Sequence, residues 1–417
     1  MYFLYNILIL LAGFALKITA FFNKKIKLFI DGREQTFTKL QQEIAKTDEV
    51  IWMHCASLGE FEQGRPITEK LKLKFPNKKI VLSFFSPSGY EVRKNYEYAD
   101  VVCYLPLDSA NNAKKFLEIV HPSLAIFVKY EFWPNLLKHL KIRNIETLLI
   151  SSIFRENQSF FKWYGSWMRN SLTAFSHFFV QDENSKQLLS SINFNNVIVS
   201  GDTRFDRVYQ ITQQNNKLAF IEEFIDNKYT LVSGSTWKED EMMLVDYINN
   251  KASENEKFII APHNINPKDI VDLKNSISKK VVLFSEKSFD SAQGAKNLSE
   301  YQVFIIDTVG LLTKIYSYAT IAYVGGGFTK TGVHNVLEPA TFGIPIIIGP
   351  NYHKFNEAVD LVKSKACFVV DNSNKLSLHL GEFFQLDEMR TEAGKRAKKY
   401  VVDKTGATLK ILNYIER

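Results

Sequence analysis

From residue 50 onward, short runs rich in β-branched and aromatic residues alternate with segments of helical spacing, and this alternation limits the fold more than any other feature. The first series covers residues 50–54, 79–85, 101–106, 124–129, 146–151, 177–181 and 196–200. The second covers 229–235, 257–262, 281–284, 303–307, 320–326 and 344–349. Strands of this length with helices between them pair in parallel through right-handed crossovers. Residues 201–228 are polar and carry no strand pattern, so the chain divides into two doubly wound α/β halves. The expected boundaries are 24–205 for the first, 206–228 for a hinge and 229–417 for the second, with the last helix able to pack back on the first. Polar stretches at 251–257 and 287–300 read as surface loops, and helical tails close the chain around 375–416. With 46% apolar and 23% charged residues the halves can each bury a core, which excludes disordered and coiled-coil architectures. Open α/β sheets bind ligands at the carboxyl ends of their strands, so a site is expected in a cleft faced by the two halves.

Residues 1–23 are a different kind of segment. Tyr2–Phe22 is apolar except for Asn6, Lys17 and a few small polar groups. As a helix, about 20 residues rising 1.5 Å each match the roughly 30 Å hydrocarbon core of a bilayer. Tyr2, Phe3 and Tyr5 mark one end and Phe21 and Phe22 the other, and Lys24, Lys25 and Lys27 follow at once. The bias of basic residues toward the inside places the body in the cytoplasm. A cleaved signal peptide would carry basic residues before the run and a small-x-small site after it, and neither is present. A spanning anchor and a helix lying in the interface remain open. No later stretch is long and apolar enough to span, and the body is expected to be soluble.

Three turns after strands concentrate polar chemistry. Met53–Pro66 follows the first strand, with Ser57, Gly59 and Glu60 at the strand-to-helix turn. Gly59 permits a tight turn and close approach to a ligand. Glu60 either faces the cleft or complements the helix dipole. Phe127–Leu137 follows the fourth strand. There Glu131 precedes Phe132, Trp133 and Pro134, either as a cleft carboxylate or beside a hydrophobic plug whose helix Pro134 starts. Tyr323–Pro350 carries Gly325, Gly326 and Gly327, then a helix expected to begin near His334 or Asn335. Such a turn offers backbone N–H groups and a helix terminus to phosphate. Glu338, three residues after Asn335 on the same face, could accept hydrogen bonds from both ribose hydroxyls. Gly234-Ser235-Thr236 with Glu241, Ala261-Pro262-His263 and Asp307–Gly310 end other strands of the same half. Ser57, Gly59, Ser235, Thr236, Gly326 and Gly327 are candidate phosphate or sugar contacts.

Other chemistries fail on spacing. There is no GxxxxGK[ST], GxSxG or HExxH, and the eight histidines are scattered. The three cysteines, Cys55, Cys103 and Cys367, lie far apart, which argues against a disulfide framework or zinc site. A net charge of +7 suits an anionic membrane surface or phosphorylated ligand and gives no argument for nucleic acid.

Taken together, His54–Glu60, Glu131–Pro134 and Gly325–Pro339 resemble the motifs of the 3-deoxy-D-manno-octulosonic acid (Kdo) transferases that decorate lipid A precursors. The resemblance covers essentially the whole chain. It implies the two-lobed GT-B glycosyltransferase fold and inverting, metal-independent transfer from CMP-Kdo to a lipid A precursor (lipid IVA) at the cytoplasmic face of the inner membrane, with no cofactor. It implies Glu60 as general base, and Glu131 and Arg204 as transition-state stabilisers. CMP contacts would fall on Pro262 and His263, on Val309, Gly310 and Leu311, and on Asn335, Val336, Leu337 and Glu338. Several positions depart from the family pattern: Lys129 and Leu311 stand where Glu is common, His263 where Arg is usual, and Arg204 where Lys is usual. Two other readings are another GT-B transferase using a UDP-sugar and a lipid acceptor, and a membrane-anchored nucleotide-sugar-binding protein without turnover.

Overall fold

The computed structural model describes residues 2–286 and 297–416. The loop expected over 287–300 therefore lies, for residues 287–296, outside the described residues. Contacts divide the chain into unit 1, Met1–Arg207 with Lys404–Arg417, and unit 2, Val208–Asp403.

Unit 1 contains β1 (Val50–Cys55), β2 (Lys79–Phe84), β3 (Val101–Tyr104), β4 (Leu124–Val128), β5 (Glu146–Ser152), β6 (His177–Val180) and β7 (Val197–Val199). They form one seven-stranded sheet in the order β3-β2-β1-β4-β5-β6-β7, parallel throughout. Both faces are covered, which is why the strand runs are continuously apolar instead of alternating. Trp52, Phe116, Phe127 and Phe178 pack on one face. Met53, Phe61, Ile67, Ile126 and Phe179 pack on the other. The last helix, Ala407–Ile415, adds Ile411 and Leu412 to that second face. Its start is held by Asp206, whose carboxylate accepts the N–H groups of Gly406 (2.5 Å) and Thr408 (2.7 Å).

Unit 2 contains β8 (Tyr229–Thr236), β9 (Glu256–Pro262), β10 (Val281–Leu283), β11 (Val303–Ile305), β12 (Ile321–Val324), β13 (Ile346–Ile348) and β14 (Cys367–Val369). Its seven-stranded parallel sheet has the order β10-β11-β9-β8-β12-β13-β14. Leu231, Phe258, Tyr323 and Phe383 fill one face, and Val232, Phe304, Ala322 and Tyr316 the other.

The structure differs from the sequence expectation in four places. β14 is an additional strand, within the apolar run Ala366–Val370 that the expected series did not include. β9 begins one residue before the expected strand 257–262, at Glu256, within the stretch expected as a loop. The 206–228 segment includes most of one helix, Thr203–Ile211, and all of another, Ala219–Ile225. The helix expected from His334 or Asn335 is five residues long, Leu337–Thr341, so Asn335 precedes it and does not share its face with Glu338.

Candidate active site

In unit 1 the winding direction reverses between β1 and β4, and such a switch point opens a crevice beyond the strand ends. The turn bearing Glu60 leaves β1 and the turn bearing Glu131 leaves β4. These strands are neighbours in register, with His54 opposite Phe127.

Ser57 caps the helix Leu58–Lys74. Its hydroxyl accepts the Gly59 N–H (3.2 Å) and donates to Glu60 Oε2 in a short hydrogen bond. Ser57 is therefore engaged locally. Gly59 has no left-handed φ, and a Cβ there would meet only Ser57 Oγ, at 3.6 Å. The turn from β1 is only Ala56-Ser57, and Gly59 lies in the first turn of the helix, where it leaves bare backbone beside Glu60.

Glu131 is buried, and one of its oxygens, Oε2, takes two donors: His54 Nε2 at 3.0 Å and Trp133 Nε1 at 2.8 Å. His54 is fully buried and continues the chain. Its Nδ1 lies 2.8 Å from Ser83 Oγ and 3.2 Å from the Ser83 carbonyl, and Trp52 Nε1 donates to Ser83 Oγ at 2.8 Å. An indole N–H can only donate, which leaves the Ser83 hydroxyl hydrogen for His54 Nδ1. With Nδ1 accepting from that hydroxyl, the neutral ring carries its hydrogen on Nε2 and donates it to the Glu131 carboxylate. Both carboxylates also act on the end of β1. Burial pushes the Cys55 thiol well up, and Glu60 and Glu131 push it further.

Arg204 lies at the start of the helix Thr203–Ile211. Its Nε and one terminal nitrogen each lie 2.8 Å from Asp202 Oδ2. Asp202 Oδ1 accepts Gln63 Nε2 at 3.1 Å, and Thr203 Oγ1 donates to the Gln63 carbonyl at 2.5 Å. Gln63 belongs to the Glu60 helix, so Arg204 is tied to the element that carries Glu60. Tyr130 reports the same neighbourhood: burial raises its hydroxyl pKa, Arg155 and Arg204 oppose the rise, and Asp182 and Glu60 add to it. Of the polar supports, His54 and Tyr130 lie within singled-out motifs and Asp202 lies two residues before Arg204, whereas Ser83 carried no sequence signal.

In unit 2 the winding reverses between β8 and β12. Gly325 sits where a Cβ would lie 2.3 Å from the Ser235 carbonyl, so only glycine lets the two turns meet. Gly326, at φ 89°, gives its N–H to Asp240 Oδ2 (2.9 Å), so that group is not directed at a phosphate. Asp240 also accepts from Tyr323 and from the Trp237 N–H, and burial raises its pKa. Gly327 is packed so closely on Gly349 that a Cβ would sit 2.6 Å from its backbone.

Beside this turn three rings form a stack. Trp237 and His263 are 4.7 Å apart and His263 and His334 4.4 Å. Trp237 Nε1 donates to His334 Nε2 at 3.0 Å, which fixes His334 as neutral with its hydrogen on Nδ1. Burial, reinforced by His263, pushes its pKa down to about 4. Thr236 accepts the His263 N–H through its carbonyl (2.9 Å) and donates its hydroxyl to Glu241 (2.9 Å). Ser235 is held at φ 53°. Glu338 accepts from Asn335 Nδ2 at 3.1 Å and from Thr313 Oγ1 at 3.2 Å. Thr313 follows the exposed Val309-Gly310-Leu311 segment, which reaches the 335–338 segment through this bond. Pro262, His263, Thr236 and residues 334–338 thus come together at one site, within which Thr236 and the expected CMP contacts Val336 and Leu337 are buried. A groove of about 640 Å³ adjoins it, lined by Thr236, Trp237, Glu241, Pro262, Asn264 and Leu273.

Two tandem parallel α/β units with sites at their switch points define a protein of the GT-B fold class. The fold is shared with UDP-GlcNAc 2-epimerase from Neisseria meningitidis, at a TM-score of 0.60 and 14% identity over 88% of this chain and all of that one. A family model described as 3-deoxy-D-manno-octulosonic-acid transferase (kdotransferase) matches residues 31–207. The 3-deoxy-D-manno-octulosonic acid transferase of Aquifex aeolicus is 29% identical over 84% of this chain and 90% of its own length. That of Rickettsia typhi is 26% identical over 84% of this chain and 75% of its own. The chain is thus similar to Kdo transferases, through a family model over residues 31–207 and through relatives over most of its length.

Proposed function

We propose that the protein transfers Kdo from CMP-Kdo to a lipid A precursor, lipid IVA, during lipopolysaccharide synthesis. The body would work at the cytoplasmic face of the inner membrane, where the apolar helix Tyr2–Ala20 attaches it. The observation that carries this reading is the pair of carboxylates, Glu60 and Glu131, leaving adjacent strands at the switch point of unit 1 in a chain similar to Kdo transferases.

Glu60 stands at a helix start beside bare backbone and serves as general base, taking the proton of the acceptor hydroxyl as it attacks. Glu131 is held by His54 and Trp133 through Oε2, and Oε1 takes no hydrogen bond among the described residues. It serves as a fixed anion facing the positive charge that develops at the sugar carbon. Arg204 offsets charge on the departing phosphate, and the turns of unit 2 hold CMP. Glu338 and Asn335 contact the ribose, with Pro262, His263 and residues 309–311 around the nucleotide. Attack opposite the departing CMP inverts the anomeric centre. Leaving-group charge met by a cation and backbone dipoles requires no metal.

The test is turnover with CMP-Kdo generated in situ and a tetraacylated lipid A precursor, with and without EDTA. Transfer that persists in EDTA is expected. Absence of transfer to this acceptor, with CMP still bound, would redirect the reading to a different acceptor.

A further inference from the structure

The amino-terminal helix is long and apolar enough to cross a bilayer, yet one stripe of it contacts unit 1 between Tyr2 and Gly13. The Tyr2 and Tyr5 rings pack on Trp167 at 6.3 and 6.1 Å. The Tyr5 hydroxyl donates to Asp108 at 2.9 Å. Asn6 Oδ1 accepts from the Ala110 N–H (3.2 Å) and from Asn135 Nδ2 (3.0 Å). Asp108 in turn accepts the N–H groups of Asn135 and Leu136, each at 2.9 Å, so these contacts join a buried polar network of the body. Two turns further on, Gly13 lies against Leu107, where a Cβ would be 3.2 Å from Cδ1. Ile9, Gly13 and Lys17 line one side of a groove of about 390 Å³, and Arg33, Phe37 and Leu107 line the other.

Positions 2, 5, 6, 9 and 13, which touch the body or line this groove, follow three- and four-residue spacing, which is one face of a helix, while Lys17 at the groove's end is exposed. Phe3, Leu4, Leu8, Leu11 and Ile18 point the other way, and all are exposed. Lys138 also sits over the Tyr2 ring, with its Nζ 5.1 Å from the centroid, so a helix crossing the bilayer with these contacts intact would carry Asp108, Asn135 and Lys138 to hydrocarbon depth, where charged and polar groups are expensive. Lying flat, it has no such conflict. Its apolar face meets the acyl boundary while its inner face stays on protein. The ends agree with this placement. Trp163, 91% exposed, and Tyr164 immediately precede the helix Ser166–Leu172 that bears Trp167. Phe21 and Phe22 are each 88% exposed at the far end, next to exposed Lys24, Lys25 and Lys27. Aromatic rings favour the headgroup layer, and a basic cluster favours anionic lipid.

We infer that Tyr2–Ala20 is an in-plane helix seated on the surface of an anionic bilayer and does not span it. The inference rests on the membrane-attachment reading above and sharpens it, because it keeps both ends of the helix on the side of the body.

The full-length chain can be tested with nitroxide labels at Phe3→Cys, Leu11→Cys and Ile18→Cys, one at a time. The native Cys55, Cys103 and Cys367 are buried and leave little background. Each variant is reconstituted from detergent into phosphatidylethanolamine–phosphatidylglycerol vesicles, and label depth is read from oxygen against nickel-chelate accessibility. One shared shallow depth at all three positions is expected. A Leu11 label roughly 10 Å deeper than both others, the rise of about seven residues of helix, would overturn the in-plane inference while keeping the anchor. Labels that stay fully open to the nickel chelate, on protein that does not float with vesicles, would overturn the anchor itself.

Discussion

The switch points of units 1 and 2 are built on the same sheet logic with opposite materials. At the end of β1 and β4 the working groups are carboxylates, and the protein spends buried donors, His54 and Trp133, on orienting one of them. At the end of β8 and β12 the backbone itself is brought close, through Gly325, and the lining is a stack of neutral rings. A carboxylate that must face a reacting centre needs a fixed direction, because a small displacement weakens its effect on developing charge. A nucleotide site needs shape and stacking surface, which closely packed backbone and rings supply. Under the proposed function, unit 1 governs rate and unit 2 donor affinity, and substitutions can separate them.

The largest effect is expected for Glu60→Gln. It keeps shape and removes the proton acceptor, so single-turnover transfer should fall by roughly two to four orders of magnitude. CMP affinity measured by calorimetry should stay unchanged. A variant within tenfold of the parent would remove Glu60 from the chemistry and leave Glu131 as the base to test.

His54→Ala tests whether Glu131 works through its orientation. Losing a buried hydrogen bond to a charged group costs about 1.5–3 kcal/mol, so single-turnover transfer should drop roughly 10- to 100-fold with KM for CMP-Kdo little altered. His54→Gln, which restores an N–H donor, should recover part of the loss. If both variants are equally slow, the role is packing and not direction.

On the other side of the comparison, Glu338→Ala should weaken CMP binding by about 1.5–3 kcal/mol if the carboxylate holds the ribose. The rate at saturating donor should be comparatively spared. Unchanged CMP affinity in a folded variant would limit Glu338 to its bonds with Asn335 and Thr313.

The smallest effect concerns pH. His334 falls from an ordinary 6.5 to about 4 through burial, then through His263. Between these values the unfolded chain binds a proton that the folded one does not, so stability declines as pH drops from 6.5 toward 4. Thermal unfolding of the parent and of His334→Gln across that window should diverge, with the parent losing more. Parallel curves would show that the ring stack carries no such cost.

Much was legible in the sequence because it is written locally. Thirteen of the fourteen strands were marked by apolar runs of the right length, and the turns after β1, β4, β8 and β12 stood out by residue type. The apolar length of Tyr2–Ala20 is likewise a property of consecutive residues. The parallel winding followed from alternation alone, since a strand followed by a helix returns to the sheet in one direction. What the folded molecule decided are pairings between residues far apart in the chain. His54 meets Glu131 across 77 residues, Trp237 meets His334 across 97, and Asp240 takes the Gly326 N–H across 86. Each depends on which strands become neighbours, and no local pattern encodes that. The same holds for the helix Ala407–Ile415 returning to unit 1 and for the stripe that fastens Tyr2–Ala20 to it. Hydrophobicity fixed that these helices must be covered, and only the packed surface of unit 1 determined by what.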